Sequence, residues 1–332
     1  MMSPWNIRGS SMIAMNNKRF KHSPWTSCFS KRSMRAILTL APILFLLLST
    51  GGCHRSEKVS PEAEPLVRLD KLAPLPARET VPEKNLLKVA VAAILSPQGN
   101  VQSYRPLLDL LGDRMGRTIQ LVQRRTYQEI NDLLARGVVD LAFICTGAYL
   151  EGQRQGIMSL LVVPEINGKT TYKALLIVPA GSDYNSLEDL RGKSFAFTDP
   201  MSNTGYLCPV SELSRRGEQP ETFFSSSIFT HSHERSIAAV MEGVVNCASV
   251  DNLIYENARQ RDSEIRKKTR VIWESGEFGM PPVVVPRQIS PELKEKLLAF
   301  FLAVHESPSG KAALEKLAID RFVVPPANLY AP

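Results

Sequence analysis

Cysteine is scarce in this chain, and what there is follows no metal or redox pattern. Cys28, Cys53, Cys145, Cys208 and Cys247 form no Cys-x-x-Cys pair and no Cys/His zinc spacing. Basic charge is scarce where it would matter. The net charge is +7, from 40 Lys and Arg against 33 Asp and Glu. Seven basic residues (Arg8, Lys18, Arg19, Lys21, Lys31, Arg32 and Arg35) precede Cys53, and no acidic residue does, so 33 of each sign remain beyond it. A body with no net charge does not support nucleic-acid binding, and any anion site in it must be built locally. Long apolar runs are missing too. Ala36–Leu48 falls short of the roughly 20 residues that a spanning helix needs. Ser202 lacks a Gly-x-Ser-x-Gly elbow, and the order Ser202, His233, Asp251 is unlike that of hydrolase triads. No catalytic residue is therefore expected. His231, His233 and Glu234 stand close in sequence without a further ligand group, so no metal and no cofactor are expected either.

What is present begins with a leader. Lys31, Arg32 and Arg35 precede the apolar run, and Ser49-Thr50-Gly51-Gly52-Cys53 follows it. That order is a secretory signal, and small residues directly before a Cys resemble a lipoprotein signal-peptidase site. The resemblance implies cleavage before Cys53 and lipid on its thiol. Met34 through Cys53 is a complete signal by itself, so residues 1–33 are a candidate start-site artefact. Residues 54–85 carry Pro61, Pro65, Pro74, Pro76 and Pro82 among scattered charges and read as a tether. Cys145 and Cys247 lie in apolar, strand-like runs and read as buried thiols. A disulfide among Cys145, Cys208 and Cys247 stays open in an exported protein.

From residue 86 onward, apolar runs alternate with helical patterns. Leu87–Ile94, Ile119–Val122 and Val139–Ile144 read as strands, with helices over Tyr104–Met115 and from Thr126 to Gly137. Thr126-Tyr127-Gln128-Glu129 is a capping box. This rhythm predicts a parallel sheet with right-handed crossovers. It then recurs: residues 133–144 align without gaps on 239–250, an offset of 106 that also places Thr126 on Ser232 and Tyr127 on His233. Two α/β lobes of similar build follow. In the second, Lys193–Phe197 and Phe223–Phe229 read as strands and Thr204–Arg216 as a helix. Pro179–Ser182 and Ser275–Pro282 are the expected crossings between lobes, which puts residues 86–180 and 276–325 in lobe 1 and 181–275 in lobe 2. Helices Pro291–His305 and Gly310–Ala318 should return to lobe 1.

Ligands of open sheets sit beyond strand ends and at helix starts. Asp199-Pro200-Met201-Ser202-Asn203-Thr204-Gly205 is such a place, where free N–H groups and short hydroxyl and amide side chains seat an anion. Ser and Asn are also ordinary helix caps. His231–Glu234 and Asp251 occupy equivalent places in the same lobe, and Thr146–Tyr149 and Tyr104 do so in the first. Asp251 is also the expected cap of a helix over Asn252–Gln260. Tyr104 and Tyr149 are equally suited to the core, and Tyr127 is the weaker aromatic candidate.

Taken together, several segments resemble the periplasmic phosphate/phosphite/phosphonate-binding proteins of ABC transporters. They are Ser96-Pro97 with Tyr104–Leu108, Val139–Phe143 with Gly147-Ala148-Tyr149, Asp199–Gly205 with Pro209, and Phe229–Glu234 with Val250-Asp251. The resemblance covers about residues 86–325. It implies a two-lobe type II periplasmic-binding-protein fold, each lobe a mostly parallel sheet flanked by helices, with two hinge crossings. It further implies a monomer that closes on a small phosphorus oxyanion and delivers it to an ABC permease and ATPase complex. A ligand-sensing adaptor for a membrane histidine kinase is the alternative. The implied ligand-binding residues are Ser202, Asn203, Thr204, Gly205, His233, Asp251, Tyr149, Tyr104 and Thr146. The family's usual Ser-Thr-Ser is Ser202-Asn203-Thr204 here, and its Asp after the His is Glu234. His233 is expected to donate to an oxygen, with a cationic ring open to it when the anion is bound. Asp251 is expected to accept from a protonated P–OH or to meet an amine on a phosphonate tail.

Overall fold

The structure, a computed structural model, describes residues 85–331. The expected signal, the expected lipidation site at Cys53 and all but the last residue of the expected tether lie outside the described residues. The described residues belong to one compact unit.

The first sheet is built from β1 (Leu86–Val91), β2 (Thr118–Gln123), β3 (Leu141–Phe143), β4 (Met158–Glu165), β12 (Val283–Pro286) and β13 (Arg321–Val323), in the order β13-β4-β12-β3-β1-β2. β1 pairs parallel with β2 and β3. β12 pairs antiparallel with β3 and β4, and β13 antiparallel with β4. The second sheet holds β6 (Ala174–Pro179), β7 (Ser194–Phe197), β8 (Ser226–Phe229), β9 (Cys247–Asp251) and β10 (Thr269–Glu274), in the order β10-β6-β9-β7-β8. Here β7 pairs parallel with β8 and β9, while β6 runs antiparallel to β9 and β10. Both sheets are thus mixed rather than mostly parallel. Of the strands that run against the rest, β6 and β12 each follow a crossing, where the chain enters a sheet without a helical crossover, and β13 lies at the outer edge.

The first crossing also lies earlier than Pro179–Ser182. β6 already belongs to the second sheet, so the chain changes lobes between Glu165 and Ala174, through β5 (Thr171–Tyr172). The return passes through β11 (Phe278–Gly279), which pairs antiparallel with β5. The hinge is therefore a two-stranded ribbon.

Alternation along the strands divides each lobe's core between the two faces of its sheet. Leu87, Val89 and Val91 face α1 (Pro97–Met115), α9 (Pro291–Ala303) and α10 (Pro308–Glu315), as the returning C-terminal helices require. Ala90 and Ala92 face the tighter cover of α2 (Tyr127–Ala135) and α3 (Thr146–Gln155). In lobe 2, Leu175 and Ile177 pack with α6 (His233–Met241) and α7 (Asn252–Arg261). Leu176 and Val178 pack on the opposite face with Phe195, Phe197 and Leu213 of α4 (Cys208–Arg215).

The internal repeat survives in three dimensions: α2 and α6 are related by the same 106-residue offset at both ends. The predicted capping box is formed, with Thr126 Oγ1 accepting from Glu129 N and Thr126 N donating to Glu129. Three elements differ in extent. Ser96 caps α1 seven residues earlier than expected, because Pro97 suits a first helical position. Phe223 ends a short helix, α5 (Pro220–Phe223), so β8 begins only at Ser226. The expected helix from Thr204 opens as a π-helical turn over Asn203–Leu207 before α4 begins.

Candidate ligand site in the interlobe cleft

The lobes are closed on one another, and the contacts between them are built from helix starts. Tyr127 N, at the start of α2, donates to Asp199 Oδ2 of lobe 2 (3.1 Å). Ser96 N, at the cap of α1, donates to Glu234 Oε2 (2.8 Å). His233 N donates back to Ile94 O (3.2 Å), and Asn203 N to Cys145 Sγ (3.4 Å). Each carboxylate thus meets the positive end of a helix from the opposite lobe.

The anion loop lies buried between them. Ser202 Oγ accepts from Gly205 N (3.0 Å), the capping role of its residue type, so two amides of the loop already have partners. What remains for a guest is side-chain chemistry. Thr204 Oγ1 and Asn203 Nδ2 are buried with no partner. Two further buried hydroxyls, Tyr127 Oη and Tyr172 Oη, are equally unpartnered. Tyr172 sits on the hinge strand β5, with Thr146 and Asn203 beside its hydroxyl but short of hydrogen-bond geometry. Tyr127 and Tyr172 share one electrostatic neighbourhood with Cys145 and Asp251. An unsatisfied buried donor costs about 1–3 kcal/mol, so each of these four groups is open to a further partner. Burial pushes both phenols well above their ordinary range and the Cys145 thiol up to about 11, so all three stay neutral.

His233 is 1% exposed, and its Nδ1 accepts from Asp251 N (3.2 Å). A backbone N–H can only donate, so Nδ1 carries no proton and Nε2 does. Burial lowers the imidazole to about pKa 3. Without a ligand the ring is a neutral Nε2–H donor. Thr198 Oγ1 lies 3.2 Å from the same Nδ1, while Thr198 N donates to Gly205 O, which ties the ring to the anion loop. Gly205 is packed so closely on Thr198 that a Cβ there would overlap its side chain.

Asp251 Oδ1 caps α7, accepting from Leu253 N (2.8 Å) and Ile254 N (3.2 Å). Burial raises its carboxyl to about pKa 7. It is therefore both the helix cap and a group that takes or gives a proton near neutrality.

Two further aromatic candidates have packing roles. Tyr104 lies on the core face of α1 and packs edge-on against Phe143 at 4.8 Å, inside lobe 1. Tyr149 joins the lobe-1 cluster and meets Tyr330 edge-on at 4.7 Å. Thr146 donates to Gly279 O of the hinge (2.8 Å). Residues missed from the sequence are Tyr172, in a strand of two residues, and Asp199 and Glu234 as links between lobes. Tyr127, aligned with His233 by the internal repeat, shares its neighbourhood with Asp251 and Tyr172. Among the described residues, no group of three His, Cys, Asp or Glu is placed to hold a metal, and Cys145, Cys208 and Cys247 are free thiols.

Comparison with known proteins places this geometry. The chain is 26% identical over 282 residues to a phosphate-import protein, PhnD, of Mycolicibacterium smegmatis, covering 81% of this chain and 82% of the relative. It is 24% identical over 251 residues to a phosphonates-binding periplasmic protein of Escherichia coli, covering 74% and 73%. Its fold is that of a binding protein component of an ABC phosphonate transporter from Pseudomonas aeruginosa, with TM-score 0.70 and 23% identity over 74% of this chain and 82% of that one. A PhnD1 structure from Prochlorococcus marinus in complex with methylphosphonate matches with TM-score 0.68 and 16% identity, over 74% and 95%. These are type II periplasmic binding folds. The family profile described as ABC transporter, phosphonate, periplasmic substrate-binding protein matches residues 89–330, and the chain belongs to that family of binding proteins, which are not enzymes.

Proposed function

We propose that this protein is a lipid-anchored receptor that closes on a small phosphorus oxyanion (phosphate, phosphite or a small phosphonate) and delivers it to an ABC permease. The observation that carries the reading is a set of buried, unpartnered donors: Tyr127 Oη and Tyr172 Oη in one neighbourhood with Asp251, Asn203 Nδ2 beside Tyr172, and Thr204 Oγ1 next along the same loop, with the neutral ring of His233 bonded to the Asp251 main chain. The names of the relatives, a phosphate importer and a phosphonate binder, support the ligand class.

In this reading Ser202, Asn203, Thr204 and Gly205 form the loop around the oxyanion, with the two phenols and His233 Nε2–H completing its donors. Thr146 acts from beside Tyr172. All these donors are neutral, so affinity comes from hydrogen bonds to an anion in a dry site. Asp251 adds a carboxyl that shares one proton with the guest. The anchor is the lipid on Cys53, and the neutral body leaves the cleft as the source of anion affinity.

Calorimetric titration of the purified protein with phosphate, phosphite and methylphosphonate tests this. Saturable one-to-one binding of at least one is expected, and no binding of any at millimolar concentration refutes it.

A further inference from the structure

The end of the chain folds back onto the hinge. Leu329 N donates to Pro326 O (3.1 Å) and Ala331 N to Asn328 O (3.2 Å), so the tail is itself folded. Leu329 and Tyr330 lie directly on Gly279 of β11. A Cβ at that glycine would stand 2.7 Å from Leu329 O and 2.8 Å from Tyr330 Cε1, so only glycine permits the approach. The Tyr330 hydroxyl donates to Met280 O, one residue further on. The Tyr330 ring meets Tyr149 of α3 edge-on at 4.7 Å and 60°. Thr146 of the same helix donates to Gly279 O (2.8 Å). Across the ribbon, Gly279 pairs with Thr171, Phe278 pairs with Tyr172 and packs on its ring, and Met280 N donates to Thr170 O (2.9 Å). The strand that pairs with Tyr172 is thus gripped by α3 and by the C-terminal tail. A two-stranded ribbon with two residue pairs is too short to hold itself.

We propose that Tyr330 is a positioning residue: the C-terminal tail clamps the hinge ribbon and thereby fixes the Tyr172 hydroxyl in the ligand site. The tail then governs how long the lobes stay shut without touching the guest. The effect on the guest rests on the proposed oxyanion site; the clamp itself does not.

The test uses the full chain with Tyr330→Ala and Tyr330→Phe, the latter keeping the ring and losing the hydroxyl. Amide hydrogen exchange is read at Met280 and Tyr172, with β1 and β9 as references, and methylphosphonate or phosphate dissociation is followed by stopped-flow fluorescence. For Tyr330→Ala, exchange at Met280 is expected to rise about tenfold with the references unchanged, and dissociation to quicken about tenfold with association unchanged. Tyr330→Phe should lie between, at about threefold. Unchanged exchange at Met280 overturns the clamp. An equal rise in β1 and β9 also overturns it, since Tyr330 would then add only general stability. Local loosening without faster dissociation overturns the positioning role. If the parent protein binds neither anion, the oxyanion reading fails and with it the retention claim, while the exchange result still decides the clamp.

Discussion

Asp251→Asn separates the proton from the rest of the site. Asn serves almost as well as Asp as a helix cap, so α7 keeps its start. In the proposed site the wild-type carboxyl, raised to about pKa 7 by burial, meets a guest whose own second ionisation lies near neutrality, about 6 for a phosphate ester. Two oxyanions in one dry cavity repel unless one proton lies between them. A protonated Asp251 donating to a dianion and an ionised Asp251 accepting from a monoanion are the same total state, so the pair titrates as a unit. Above about pH 7.5 both partners are deprotonated when free, and binding must take up one proton. The dissociation constant should then rise towards tenfold per pH unit, about a hundredfold over two units. Asp251→Asn needs no such proton, and its affinity should be nearly flat over the same range. Calorimetry in buffers of different ionisation enthalpy counts the protons directly: close to one for the wild type at pH 8.5 and close to zero for the variant. Equal proton counts, or a wild-type affinity independent of pH, would refute the shared-proton account.

Four other outcomes follow from the geometry. Tyr172→Phe removes a buried hydroxyl that has no partner, so unfolding of the ligand-free protein should become no easier, while affinity falls by roughly 5- to 100-fold; a matching loss of stability in thermal melts would contradict this. Gly147→Ala places a methyl against the Met201 carbonyl of the opposite lobe, so small-angle scattering should show a more open molecule and titration a weaker ligand. His233 and Asp251 should tilt stability against pH in opposite senses. His233 sits at about pKa 3 against 6.5 unfolded, so its contribution is present above about 6.5 and is lost as pH falls towards 3; Asp251 sits at about 7 against 3.8, so its contribution is present below about 4 and is lost as pH rises to 7. Between about pH 4 and 6.5 the two nearly cancel in the wild type; denaturant titrations should show stability rising with pH in Asp251→Asn and falling in His233→Gln. Cys53→Ala should move the protein from the membrane to the soluble envelope fraction, and continued retention would contradict the lipid anchor.

Much of this architecture was legible because it repeats. The gapless match of residues 133–144 to 239–250 marks two lobes, and α2 and α6 keep the offset to the residue. Asn203, Thr204, His233 and Asp251 were legible as positions at strand ends and helix starts, and that is where they lie. What escaped depends on packing or on the hinge. Tyr104 shares a helical face with Leu107, Leu108 and Leu111, so once α1 forms from Pro97 its ring turns into the core. The charge of His233 depends on which group meets Nδ1, and that group is the main-chain N–H of Asp251, 18 residues away. Tyr172 lies in a strand of two residues, which leaves no periodicity to read, and its pairing partner Phe278 is more than a hundred residues distant. The mixed sheets escaped for the same reason: β6 and β12, which run antiparallel to both their neighbours, enter from the crossings, and alternation alone does not reveal strand direction.

The most direct test of the central claim is a crystal structure with whichever oxyanion binds. The phosphorus group should lie between the lobes, its oxygens within about 2.6–3.2 Å of Tyr127 Oη, Tyr172 Oη, Asn203 Nδ2, Thr204 Oγ1 and His233 Nε2, with Asp251 on its protonated side. An anion seated elsewhere, or one held by a Lys or Arg side chain in place of these neutral donors, would contradict it.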